Sequence, residues 1–296
     1  PYGIAFAPAG GFAFVALEAT GQVLKYDAAT FARVGTASVG AKPRHLSVSA
    51  DGARVYVSRF VTPPLPGEGT AAVLPGAAGG EIVVLSAATL AAERTIVLGY
   101  STLPDFENQG SGVPNYLGAA SISPDGTQAW VPSKQDNVGR GLARNGFDLD
   151  FQNTVRAISS RVKLIDQVED LESRVDHDNS SLATAAAYDP KGNYLLVALE
   201  TGRELAVLDA HGGWQVFRVD VGRAPQGLAL SDDGRRLYVH NFMDRSVQVL
   251  DLVPLLERCE NDLPTLATVG TVGTEALTAQ VLLGKQLFYD ARDPRL

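Results

Sequence analysis

The chain has 296 residues, 45% of them apolar and 20% charged, with a formal net charge of −8. That length suits one or two domains around a sizeable core, and the acidic balance argues against a general nucleic-acid binder, which presents a basic face. The single cysteine, Cys259, excludes an internal disulfide framework and any CxxC or CxxCH site, and no apolar run is long enough to span a membrane.

The 30 Gly and 16 Pro point to many turns, not to disorder. The first residue is Pro1 and not Met, so the lack of a signal peptide says nothing about compartment. We expect a segment processed or cut from something longer.

In chain order, the first element is Gly3-Ile-Ala-Phe-Ala-Pro-Ala-Gly-Gly-Phe-Ala-Phe-Val-Ala16, two short alternating runs around a glycine turn. The same pattern returns in His45–Ser58, Ala119–Pro132, Ala185–Ala198 and Gly227–His240. Asp-Gly between alternating runs predicts a hairpin. Each hairpin precedes a third strand: Val23–Asp27, Ile82–Ser86, Val162–Asp166, Leu205–Asp209 and Val247–Asp251. A fourth often ends in Val/Leu-Gly, as at Val39-Gly40, Leu98-Gly99, Val221-Gly222 and Val272-Gly273. Four antiparallel strands per unit, repeated, predict an all-β fold, a β-propeller of four-stranded antiparallel blades followed by a short C-terminal helix. Residues 1–273 form the blades, and 274–296 carry helical spacing. Five repeats fit a closed five-bladed ring or part of a larger one.

The turn glycines Gly11, Gly52, Gly126, Gly192 and Gly234 lie 41, 74, 66 and 42 residues apart. Two intervals match a compact blade of about 40–45 residues. The longer two place insertions at Thr62–Gly80, Tyr100–Val113 and Gln135–Ala157. The strands of a blade are lettered A to D from the inner to the outer edge. B–C loops and D-to-A connections then share one face, so all three insertions fall on it. Long loops on one face of a rigid scaffold commonly carry function.

The repeats resemble the YVTN-type propeller repeats of bacterial surface and periplasmic proteins, through Ser123-Pro-Asp-Gly126, Val221-Gly-Arg-Ala-Pro225, Arg236-Leu-Tyr-Val-His-Asn241 and Ser246–Asp251. In the tail, Leu283-Gly-Lys-Gln-Leu-Phe-Tyr-Asp290 resembles the opening helix of di-haem cytochrome c peroxidase-like domains. The resemblance implies a periplasmic or extracellular protein and a propeller fused to such a domain. Haem c is then expected downstream and none within this segment. The implied partner is that haem domain or a redox protein.

Arg44, His45, Arg59, Asn115, Lys134, Gln226, His240 and Asn241 are expected near the channel mouth on the insertion face, as a ligand- or partner-binding ring or simply a solvated rim. His45 and His240 are candidate metal or haem-edge ligands, weighed against ordinary blade packing. Asp148 and Asp150, and the cluster Asp176–Asn179, carry oxygen ligands that suit calcium but lack EF-hand spacing; loop solvation also accounts for them. Asp51, Asp125 and Asp233 read as turn residues, not acids or bases. Trp130, Tyr56, Tyr194 and Tyr238 recur at one blade position and read as packing. No nucleotide-binding or nucleophile motif is convincing.

The leading functional expectation is a non-catalytic docking module of a secreted or periplasmic c-type haem electron-transfer protein. The alternatives are a stand-alone propeller enzyme of lactonase or lyase type, with a divalent metal at the channel mouth, and a surface adhesion scaffold.

Overall fold

A computed structural model describes residues 1–68, 78–138 and 154–292. The fold is a β-propeller of antiparallel blades. The chain divides into two compact units, Pro1–Asp176 and His177–Leu296.

The first unit holds three blades. Blade 1 is β1 (Ile4–Phe6), β2 (Phe12–Leu17), β3 (Gln22–Asp27) and β4 (Arg33–Ser38). Blade 2 is β5 (Pro43–Val48), β6 (Arg54–Arg59), β7 (Gly79–Ser86) and β8 (Ala92–Gly99). Blade 3 is built from β11 (Ser121–Ile122), β12 (Gln128–Asp136), β13 (Val155–Lys163) and β14 (Val168–His177). Its sheet also takes in a hairpin, β9 (Ser101–Phe106) and β10 (Gln109–Asn115).

The second unit holds two blades. Blade 4 is β15 (Ala183–Tyr188), β16 (Tyr194–Leu199), β17 (Glu204–Asp209) and β18 (Gln215–Asp220). Blade 5 is β19 (Pro225–Leu230), β20 (Arg236–Asn241), β21 (Ser246–Asp251) and β22 (Thr265–Gly270), with α1 (Val253–Arg258) in its C–D connection. Helix α2 (Ala279–Phe288) lies in the tail.

Period-2 alternation explains the core. Val55, Val57, Val83 and Leu85 of blade 2 pack in one cluster with Phe14, Ala16 and Val23 of blade 1. The intervening residues Tyr56, Ile82 and Val84 pack in another with Ala129, Val131 and Val162 of blade 3. Both faces of an inner strand are therefore buried, and its sequence is apolar almost throughout. In the second unit Leu196, Leu205 and Val207 join Leu237, Val239 and Leu250 in the same way. Each such side chain contributes about 1.5–3 kcal/mol by burial.

The A–B turns repeat one hydrogen-bond scheme. Ser49, Ser123 and Ser231 each donate through Oγ to the aspartate two residues on, at 2.5 Å. The following glycines hold φ of 70°, 71° and 66°. The aspartates Asp51, Asp125 and Asp233 lie below the usual carboxylate range, chiefly through that serine bond. They are turn residues, as expected. In blade 1 the left-handed glycine is Gly10 and not Gly11.

Two expectations need correction. Tyr100–Val113 is not a plain connection but carries most of the β9–β10 hairpin. Its Pro104 is tolerated because β9 is the edge strand of the sheet. The third strand of blade 3 is Val155–Lys163, and Leu164–Gln167 form the turn after it.

Candidate functional site

In the first unit the insertions fall on one face by connectivity. The B–C loop of blade 2 follows Arg59, the hairpin follows Gly99, and the B–C loop of blade 3 follows Asp136. On this face five side chains form a continuous cation–aromatic ladder. The Arg44 guanidinium lies 3.2 Å from the Phe60 ring centroid and 4.5 Å from that of Tyr2. Phe60 stacks on Tyr116 at 4.4 Å and 16°. The Lys134 ammonium sits 4.1 Å over Tyr116. A carboxylate holds each end. Arg44 donates to Glu18 at 2.8 and 3.1 Å, and Lys134 pairs with Asp136 at 2.9 Å. The Arg44 bond holds the Glu18 carboxyl below its usual range.

Asn115 is framework to the ladder. Its Oδ1 accepts from Thr62 N (3.0 Å) and Tyr116 N (2.9 Å), and its Nδ2 donates to Asp136 at 2.7 Å. Tyr116, at φ 55°, takes the left-handed conformation that this turn requires. Tyr116 is 36% exposed and Tyr2 56%, so the ladder is an open aromatic shelf.

His45 meets the edge of Tyr2 at 5.3 Å. Burial, reinforced by the Arg44 charge, lowers it to about 4, so it is neutral at pH 7. Arg59 leaves the ladder, donating to Ala41 O at 2.9 Å and pairing with Glu81.

The hairpin borders a second feature that the sequence did not reveal. A cavity of about 350 Å3 is lined by Leu103, Gln109, Gln135, Ile158, Leu171 and Glu172, among others. Two buried ion pairs hold the hairpin over it. Glu169 accepts from Gly99 N at 2.7 Å, while Arg174, paired to Glu169 at 2.6 Å, donates to Gly99 O at 2.7 Å. Arg156 pairs with Asp176 at 2.7 Å and donates to the carbonyls of Phe106 and Glu107. Nothing in the sequence ties these charges to the hairpin backbone, since 49 residues separate Arg156 from Glu107 and 75 separate Arg174 from Gly99.

The second unit holds the remaining expected residues, and they do not form one cluster. Gln226 donates to Glu200 at 3.3 Å. Glu200 is 4% exposed, and burial pushes its carboxyl up to about 7. Asn241 is buried, donating to Gln248 at 3.4 Å. It lies so close to Gly222 that a Cβ there would stand 2.7 Å from its carboxamide carbon. His240 is exposed and meets Phe242 edge-on at 6.3 Å. Asp148 and Asp150 lie outside the described residues. Among the described residues no three His, Cys, Asp or Glu side chains are grouped as a metal site. No helix among them is long and apolar enough to cross a membrane.

Comparison with solved structures bears on the fold. The chain is similar to the β-propeller domain of Cps50 (Swd1) from Myceliophteria thermophila, at 14% identity over 90% of this chain and 71% of that one, with a TM-score of 0.58. It is also similar to a functionally unknown protein from Desulfotomaculum acetoxidans, at 13% identity over 88% of this chain and 67% of that one, with a TM-score of 0.57. At such identity the likeness is one of fold alone. No family model matches the chain, and no curated protein matches it.

Proposed function

We propose that the chain is a non-catalytic propeller module that docks a protein partner on the insertion face of its first unit. The observation that carries this reading is the part-exposed ladder Arg44–Phe60–Tyr116–Lys134 with Tyr2 beside it. Tyrosine and arginine on a rigid surface are the side chains most often found at the centre of protein interfaces. A cation held over a ring contributes about 0.5–1 kcal/mol at an exposed site and more once desolvated. The ladder is preformed, with carboxylates already holding both cations, so a partner does not have to order it.

The partner class follows from the tail. The likeness of Leu283–Asp290 to the opening of a peroxidase-like haem domain, and the YVTN-like repeats, support a secreted or periplasmic electron-transfer protein with c-type haem. Two experiments test the reading. The coding frame beyond Leu296 should show a CxxCH motif within several dozen residues; its absence removes the haem fusion. Titration with a soluble c-type cytochrome should show binding that Tyr116→Ala and Arg44→Ala each weaken at least tenfold. Binding unaffected by both substitutions removes the ladder as the docking surface.

A further inference from the structure

The tail of the second unit is held by acids placed on blade arginines. The loops joining strands B and C in blades 4 and 5 are each four residues long, and each ends on an arginine, Arg203 and Arg245. Both arginines adopt the left-handed conformation, at φ 51° and 50°. The matching loop of blade 1 ends on Gly21, at φ 70°, the residue suited to that backbone. An arginine at this position carries a backbone cost that glycine avoids.

Each arginine takes a carboxylate from the tail. Arg203 pairs with Asp290, donating through Nε to Oδ1 at 2.6 Å. Arg245 pairs with Glu275. A third cation, Arg223 in the connection between blades 4 and 5, donates to Asp290 Oδ2 at 3.3 Å. Asp290 is only 1% exposed. Backbone and aromatic contacts complete the seat. Ala291 N donates to Thr201 O at 3.1 Å, Gln286 to Met243 O at 3.4 Å, and Tyr289 meets Phe242 edge-on at 6.4 Å. The apolar contribution is small. Helix α2 buries no residue completely, and its Val281, Leu283 and Phe288 are 51, 42 and 82% exposed.

We infer that Arg203, Arg223 and Arg245 form a receptor for an acidic peptide carrying two separated carboxylates, and that the segment from Glu275 to Ala291 is its resident ligand in cis. A segment held by ion pairs and a few polar contacts, with Val281, Leu283 and Phe288 facing solvent and no apolar side chain fully buried, can be released without unfolding the blades. The receptor face of the second unit is then closed by its own tail until a competing acidic segment, or high salt, displaces it. The inference rests on this seat alone and stands whether or not the tail leads into a haem domain.

The test uses the full chain and a fluorescently labelled peptide of residues 274–292. In 20 mM salt the peptide should bind the Glu275→Ala/Asp290→Ala chain at least tenfold more tightly than the wild-type chain, because the cis ligand has been released. Adding Arg203→Ala and Arg223→Ala should abolish that binding, and a peptide carrying Asp290→Asn should bind at least tenfold more weakly. Equal binding to the wild-type and released chains, no binding to either, or indifference to Asp290→Asn overturns the inference. Should the released variant misfold, amide exchange on the wild-type chain decides. Exchange across residues 279–290 should rise severalfold at 500 mM salt while that of β16 and β20 stays unchanged. Salt-independent exchange in the tail overturns the inference equally.

Discussion

The two units use one blade template to different ends. In the first, long insertions build outward from blades 2 and 3, and the face they border carries a shelf with Phe60 and Tyr116 between two cations and Tyr2 on the far side of Arg44. In the second, the B–C loops are four residues long and the corresponding face is taken by the chain's own tail through Arg203, Arg223 and Arg245. Both units bury apolar central strands, as β6 and β16 show. The contrast teaches that blade strands specify the fold, while loop length and the residue before strand C decide what a face can hold.

The cores should prove alike. Trp130→Ala in the first unit, at a position 0% exposed, should cost about 3–5 kcal/mol. Leu196→Ala in the second, also 0% exposed, should cost about 2–5 kcal/mol. Urea unfolding measures both, and a small loss in only one would break the comparison at its root.

The faces should prove unlike. Glu169→Ala strands the Arg174 guanidinium, whose side chain is 6% exposed, and should cost about 3 kcal/mol. Amide exchange should rise first in β9 and β10, since Gly99 loses one of its two anchors. Protection unchanged there would mean that the hairpin is held some other way.

Acid and alkali should act on different groups. His45 and His177, lowered by burial from 6.5 to about 4 and about 3, bind protons more readily when unfolded. Their contribution is present above pH 6.5 and is lost as pH falls toward 4 and 3. Glu200 runs the other way, because its folded carboxyl is raised from 4.5 to about 7. The folded state binds the proton more tightly, so stability is lost as pH rises from 4.5 to 7. Glu200→Gln should therefore stabilise the chain at pH 8 by about 1–3 kcal/mol and leave it nearly unchanged at pH 4. Unfolding midpoints across pH measure this, and an equal gain at both pH values would contradict it.

The smallest stability effect belongs to the shelf. Tyr116→Ala should cost no more than about 2 kcal/mol by thermal unfolding, since it removes one stacked pair and the Lys134 cation–ring contact at a part-exposed site. A far larger cost would make Tyr116 a packing residue and not a docking one.

Much of this is legible in the amino-acid sequence. The hairpins, the Asp-Gly turns and the four-strand period are local features, and local geometry dictates their residue types. Period-2 alternation likewise marked the buried strands. The β9–β10 hairpin escaped because Pro104, Gly110 and Gly112 interrupt alternation, and the strands hold through Glu169, Arg174 and Arg156 from elsewhere. Of the eight residues expected around the channel mouth, the structure brings Arg44, Asn115 and Lys134 into one constellation, with His45 at its edge. Arg59, Gln226 and Asn241 are each committed to separate partners, and His240 is exposed beside Phe242.

The amino-acid order by itself determined the blades, their turns and the one-sidedness of the insertions, because each follows from spacing along a single strand or hairpin. Only the tertiary structure decided that Phe60 lies on Tyr116 and that Asp290 lies between Arg203 and Arg223. Those partners are 56, 87 and 67 residues apart. No periodicity links them, and their energy of contact exists only once packing has brought the blades and the tail together.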